Sequence, residues 1–254
     1  MISWQKNKTD CEQKHINEHL VMATLWLQTS AEYRAICYQT FKLAKTNLDN
    51  FLKTYNSPKP LAVIVDVDET VIDNSAYDAF LVGKDFGHSS KIWNRWMDAK
   101  QAKAIPGALD FLLYAKNKGV EIFYVTNRKM IGYEQTKNNL NALGFPFLDQ
   151  KHLLLKKNDK DKTGRRNQVA KEYEIAFLIG DNLNDFSAIF ADKSIKERFQ
   201  EVDQHRDSWG TRFIVMPNPM YGEWEGTIYN YNWRSSMNKK DKMRKALLNK
   251  WDGK

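Results

Sequence analysis

The chain holds only two cysteines in 254 residues, Cys11 and Cys37, and they make no metal-ligand spacing. No cysteine-ligated metal site is therefore indicated, and so small a number does not fix the redox compartment. Cys37 falls in the apolar helical pattern of "AEYRAICYQTFKLAK" and reads as a small core residue. The five histidines, at 15, 19, 88, 152 and 205, are scattered, which argues against a zinc cluster. No apolar run is long enough to span a bilayer. The first residues, "MISWQKNKTDCEQKH", contain neither an apolar signal core nor a small-residue cleavage site. Internal repeats and low-complexity segments are also missing.

What is present is enough apolar material for one large domain or two small ones, at 42 % hydrophobic and 13 % aromatic residues. The formal charge of +8 permits a nucleic acid, an anionic membrane or a phosphorylated small molecule as partner. The lysines are spread along the chain rather than gathered in one stripe, which speaks against nucleic acid.

Residues 12–54 read as two helices, with Ser30 placed to cap the second. "NSPKP" at 56–60 is a break. Apolar strands then alternate with helical patterns. Strands are expected at 61–65, 120–125, 152–155, 175–179 and 212–216. Helices are expected at 89–100, 106–119, about 130–143, about 163–173 and through about 187–205. This alternation predicts an α/β fold with a parallel sheet covered on both faces. The long aromatic insert at 73–105 interrupts the rhythm and suits a cap or binding loop. The tail from 217 is aromatic and turn-rich.

The chemistry sits where strands end. "LAVIV" runs into Asp66-Val67-Asp68-Glu69, "VEIFYV" into Thr126-Asn127-Arg128, and "IAFLI" into Gly180-Asp181-Asn182-Leu183-Asn184-Asp185. Open α/β sheets bind ligands beyond the carboxyl ends of their strands, so these clusters should meet at one rim. Carboxylates gathered there need a cation. Mg²⁺ suits one or two carboxylates beside a phosphate, with Asp66 and Asp181 as direct ligands and Asp185 orienting a bound water or the inner ligands. A carboxylate in such a place is also a nucleophile toward phosphorus. Asp66 would attack, and Asp68, two residues on, would pass a proton to the leaving oxygen. Thr126, Asn127 and a lysine would hold the phosphoryl oxygens. A phosphomutase or sugar phosphatase, and a non-enzymatic receiver domain, share parts of this pattern. Asp68 counts against the receiver.

The order of these segments resembles the haloacid dehalogenase (HAD) superfamily of phosphotransferases, with Asp66-Val67-Asp68-Glu69-Thr70 as the D-x-D-x-T motif. "DVDETVIDNSAY", "WNRWMDAKQAKAIPGA", "FYVTNRK", "KTGRRNQV", "GDNLNDF" and "YGEWEG" narrow the resemblance to the bacterial class C acid phosphatases, from about residue 16 onward. The resemblance implies a single HAD-like (Rossmannoid) domain over 1–254. It would comprise a helical segment 1–60, a core 61–216 with cap insert 73–105, and a C-terminal segment 217–254. It implies Asp66 as nucleophile, and Asp68 as acid/base that also lends its carbonyl to the metal. One Mg²⁺ per chain would be held with Asp181 and Asp185. Thr126 and Lys162 would bind phosphate, Lys160 being the rival lysine. Trp93 and Tyr221 would flank a flat substrate such as a nucleoside 5′-monophosphate or nicotinamide mononucleotide. It further implies a bacterial envelope location through a lipid anchor. No such signal is visible here, so a trimmed mature form is expected. The resemblance also allows a homodimer.

Overall fold

A computed structural model of the chain describes residues 17–253. Cys11 and the first residues of the expected N-terminal helix, 12–16, lie outside the described residues. Two helices open the fold, α1 (Val21–Thr29) and α2 (Ala31–Thr54). The expected cap is there: the Ser30 hydroxyl accepts from the Tyr33 amide, which satisfies one of the free donors at the start of α2.

Strand β1 (Leu61–Val65) is buried at every position. The insert follows as β2 (Ile72–Asp73), α3 (Ser75–Leu81), α4 (Ser90–Ala99) and β3 (Lys103–Ala104). β2 and β3 pair antiparallel and close the insert at its base. α1 packs on α3, and the Asn17 side chain donates to Leu81 O and Phe86 O, both at 2.8 Å. The cap is thus tied to the N-terminal segment.

The core resumes with α5 (Ala108–Asn117), β4 (Glu121–Lys129), α6 (Tyr133–Ala142), β5 (Leu153–Lys156), α7 (Thr163–Glu172), β6 (Glu174–Gly180) and the short α8 (Leu183–Phe186). It ends with α9 (Ile195–Gln204) and β7 (Phe213–Val215). The five long strands form one parallel sheet in the order β5-β4-β1-β6-β7. Successive residues of a strand face opposite sides, and β1 shows it. Leu61, Val63 and Val65 join the larger core with Phe41, Phe111 and Leu112. Ala62 and Ile64 join the smaller one with Val169, Tyr173 and Phe190. Each such side chain, fully buried, contributes ~1.5–3 kcal/mol, so the sheet is held from both faces.

Three elements differ from the sequence reading. β4 runs on through Thr126, Asn127 and Arg128 to Lys129, with a register irregularity after Thr126. The helix expected through 187–205 is broken. Ser187 caps a single 3₁₀ turn at 188–190, and Ser194 with Glu197 forms a capping box that starts α9 afresh. The tail folds into α10 (Glu223–Ile228) and α11 (Met237–Ala246) rather than turns alone. Cys37 is buried, as its pattern predicted, and it is free.

Candidate active site

β1 is the middle strand, and the chain adds β4 and β5 on one side of it before crossing to β6 and β7 on the other. The crevice of such a sheet opens beside the strand where the order reverses. Asp66 stands there, its amide donating to Ile179 O of β6 at 2.9 Å. Asp66, Asp181 and Asp185 bring carboxylate oxygens within 4.8 Å of one another. Lys162, at the start of α7, is 4 % exposed. Its ammonium bridges Asp66 Oδ1 at 2.5 Å and Asp185 Oδ1 at 2.6 Å. Lys160 instead points to Asp192 and Glu223, so Lys162 is the lysine of the rim.

The backbone makes room for this cluster. A Cβ at Gly180 would lie 2.5 Å from Asp185 Oδ2, so only glycine lets Asp185 fold back against β6. Asp185 also accepts from the Asn182 amide at 2.9 Å and closes a capping box at the start of α8. Asp181 accepts from the buried Thr70 hydroxyl at 3.2 Å and from Asn218 at 2.8 Å.

Asp68 turns to different partners. Arg128 approaches it as a fork, with Nη2 at 2.7 Å from Oδ1 and Nε at 3.0 and 3.2 Å from the two oxygens. Asn74 Nδ2 donates to Oδ1 at 2.9 Å, and the Thr126 hydroxyl reaches Oδ2 at 3.5 Å. The Asn127 side chain is exposed at the rim and accepts from Arg165, which also holds Thr126 O. Glu69 has a left-handed φ of 56° and is buried at 1 % exposure. It accepts from the Asn74 amide at 2.7 Å and from the Tyr221 hydroxyl. Trp93, on α4, lies edge-on to Tyr77 at 4.9 Å and beneath the Arg128 guanidinium at 5.4 Å. Trp93 and Tyr221 make no ring contact with each other among the described residues.

The structure therefore brings Asp66, Asp68, Thr126, Lys162, Asp181 and Asp185 to one rim. Arg128, Asn74, Glu69, Asn218 and Arg165 were not assigned from the sequence. Arg128 was within reach, since it directly follows Thr126-Asn127 in the strand-end segment.

A family model described as HAD superfamily, subfamily IIIB (Acid phosphatase), matches residues 2–224. The chain belongs to this family. It is also similar to the class C acid phosphatase of Bacillus anthracis, at 39 % identity and a TM-score of 0.90, over 94 % of this chain and 100 % of that one. A second structure of that enzyme, with tungstate bound, matches at 40 % identity and a TM-score of 0.89, over 93 % and 99 % of the two chains. The expected class C relationship and HAD-like α/β fold hold, and the protein is a phosphatase.

The electrostatics of this acid phosphatase suit a divalent cation. Burial, then Asp185, pushes the Asp181 pKa up to about 7. Burial also raises Asp66, with Asp185 and Asp181 adding to it and Lys162 opposing. Burial works against the Lys162 ammonium, but Asp185 and Asp66 outweigh it and hold its pKa above the usual lysine value. Lys162 reaches Asp66 and Asp185 but not Asp181, so with all three carboxyls ionised one ammonium would face three negative charges. An all-oxygen donor set with that deficit fits a hard dication. Among the described residues no helix is long and apolar enough to cross a membrane.

Proposed function

We propose that this acid phosphatase hydrolyses small phosphomonoesters through an aspartyl-phosphate on Asp66 in a Mg²⁺-dependent reaction. Nucleoside 5′-monophosphates and nicotinamide mononucleotide would be among its substrates. The observation that carries this reading is the division of labour between two carboxyls two residues apart. Asp66 faces the Lys162 ammonium and the acidic cluster, while Asp68 faces Arg128 and Asn74.

The Asp66 carboxylate attacks phosphorus and the ester P–O bond breaks. Asp68 gives its proton to the leaving alkoxide. Its Oδ2 makes the longer contacts, with Arg128 Nε at 3.2 Å and Thr126 Oγ1 at 3.5 Å, while Oδ1 takes the short bonds from Arg128 and Asn74, so Oδ2 is the oxygen through which the proton would pass. Asp68 then takes a proton from water, whose oxygen attacks phosphorus. The bond to Asp66 breaks and inorganic phosphate leaves. Lys162, the Thr126 hydroxyl and the Asn127 side chain would hold the phosphoryl oxygens. Asp66, Asp181, Asp185 and the carbonyl of Asp68 would hold Mg²⁺, which neutralises charge on the carboxylates and the phosphoryl group. Tungstate bound to the B. anthracis enzyme supports an oxyanion site in this fold, because tungstate shares the tetrahedral shape of phosphate. A bacterial envelope location through a lipid anchor, and a homodimer, belong to the same reading.

The test is a panel of phosphomonoesters assayed over pH with Mg²⁺ or chelator, alongside Asp66→Asn. Turnover should need the metal, peak in mild acid and vanish in Asp66→Asn. Uncatalysed phosphomonoester hydrolysis is slow enough that enzymes accelerate it by up to ~10²¹, so little should survive. Chelator-resistant activity, or wild-type rates in Asp66→Asn, would defeat the mechanism.

A further inference from the structure

Lys129 and Lys156 are register partners across β4 and β5, so two ammonium side chains end neighbouring strands side by side. Like charges so placed are destabilising unless something of opposite sign joins them. No carboxylate lies within ion-pair distance of either lysine among the described residues. Lys156 is half-buried. Burial, and then Lys129, Arg165 and Lys160, all push its pKa down. Asp161 accepts from Thr163, and Asp192 and Glu223 face Lys160.

The pair is continuous with the phosphate-binding wall. Arg165 holds Thr126 O and Asn127 Oδ1, and its charge acts on Asp66 on one side and Lys156 on the other. Lys129 reaches Ser90 Oγ of cap helix α4 at 3.3 Å. The two lysines thus stand where the cap meets the ends of β4 and β5, with Lys129 three residues beyond Thr126 on β4.

We propose that Lys129 and Lys156 form a second anion subsite, which takes the second phosphate of substrates carrying two phosphate groups, such as nucleoside bisphosphates. The inference rests on the phosphatase reaction above and names a substrate class for it. A phosphate dianion would turn the repulsion between the two ammonium groups into two charge-assisted hydrogen bonds. A monophosphate leaves the subsite to water, so the pair discriminates between substrates rather than driving the chemistry.

The experiment compares adenosine 3′,5′-bisphosphate with adenosine 5′-monophosphate in the wild type and in Lys129→Met and Lys156→Met, at low and high ionic strength. Chromatography identifies adenosine 3′-monophosphate as the product of the bisphosphate. The expected result is a preference of about tenfold or more in kcat/KM for the bisphosphate, fading as salt screens the contact. Lys156→Met should abolish that preference and leave monophosphate turnover as it was. Equal kcat/KM for both substrates in the wild type would overturn the subsite. So would an equal fold loss on both in Lys156→Met, which would mean general attraction of anions. If the wild type turns over no nucleotide, the nucleotide reading fails by itself. The same ratio is then measured with fructose 1,6-bisphosphate against fructose 6-phosphate, with the same two outcomes.

Discussion

The Tyr221 hydroxyl donates to Oε2 of Glu69, a buried carboxyl 152 positions earlier in the chain. The tail beyond β7 is thereby fastened to the turn that carries Asp66 and Asp68. Tyr221→Phe keeps the ring and removes the donor, leaving Glu69 short of one partner. The expected cost is about 1–3 kcal/mol in chemical unfolding, with nucleotide turnover largely kept. Tyr221→Ala removes the ring too. It should cut kcat/KM for nucleotides far more than for glycerol phosphate, because base–aromatic stacking is worth ~1–3 kcal/mol per base. An equal loss on both substrates would make Tyr221 a structural tie alone.

Asn74 is completely buried and all its side-chain capacity is used. Nδ2 donates to Asp68 and Glu69, and Oδ1 accepts from Trp96 Nε1 at 2.8 Å and Arg128 Nη2 at 3.3 Å. It joins the cap, the Asp68 carboxyl and the Arg128 guanidinium. Asn74→Ala should lower kcat by ~10²-fold through misplacement of Asp68, with KM little changed and the circular dichroism spectrum retained. Arg128→Lys should behave alike, since an ammonium cannot reproduce the two-pronged contact. A selective rise in KM in either variant would contradict this assignment.

Asp78 of α3 is 6 % exposed, and its Oδ2 has no hydrogen-bond partner. Burial first, then Asp73 and Glu225, push its pKa up to about 7. The folded state therefore keeps a proton that the unfolded chain loses near pH 4. Between these values the unfolded state binds fewer protons, so stability falls as pH rises. The full effect is on the order of 4 kcal/mol, reached above pH 7. Asp78→Asn should flatten this slope, raising the melting temperature at pH 7.5 and leaving it nearly unchanged at pH 4. Parallel melting curves for the two proteins across that range would refute it.

Asp66, Asp68 and Asp181 were legible because they follow the ends of apolar strands, an unfavourable place for charge unless it has a use. The sheet was legible for the same reason: β1 and the core of β4 are continuous apolar runs. Other parts left no such mark. Arg128 meets Asp68 across 60 positions, and only the continuation of β4 beyond Val125 aims it there. Asn74 is one of many asparagines, and its four contacts come from a turn, a cap helix and a strand. α11 has no buried residue, so no apolar periodicity announced it. The break before α9 was written in Ser194 and Glu197, a capping signal outweighed in the sequence reading by the helical pattern around it.

β1 occupies the centre of the sheet yet is made first. During synthesis Leu61–Val65 leaves the ribosome long before β4 and β6 exist to satisfy its two edges. Among the described residues, α2 is then the one earlier long helix available to cover a face. Until Gly180 has emerged, the nascent chain exposes an apolar, β-prone segment of the kind that pairs with its copies. The yield of soluble enzyme should accordingly depend on expression temperature and chaperone supply more steeply than the finished protein's own stability would suggest.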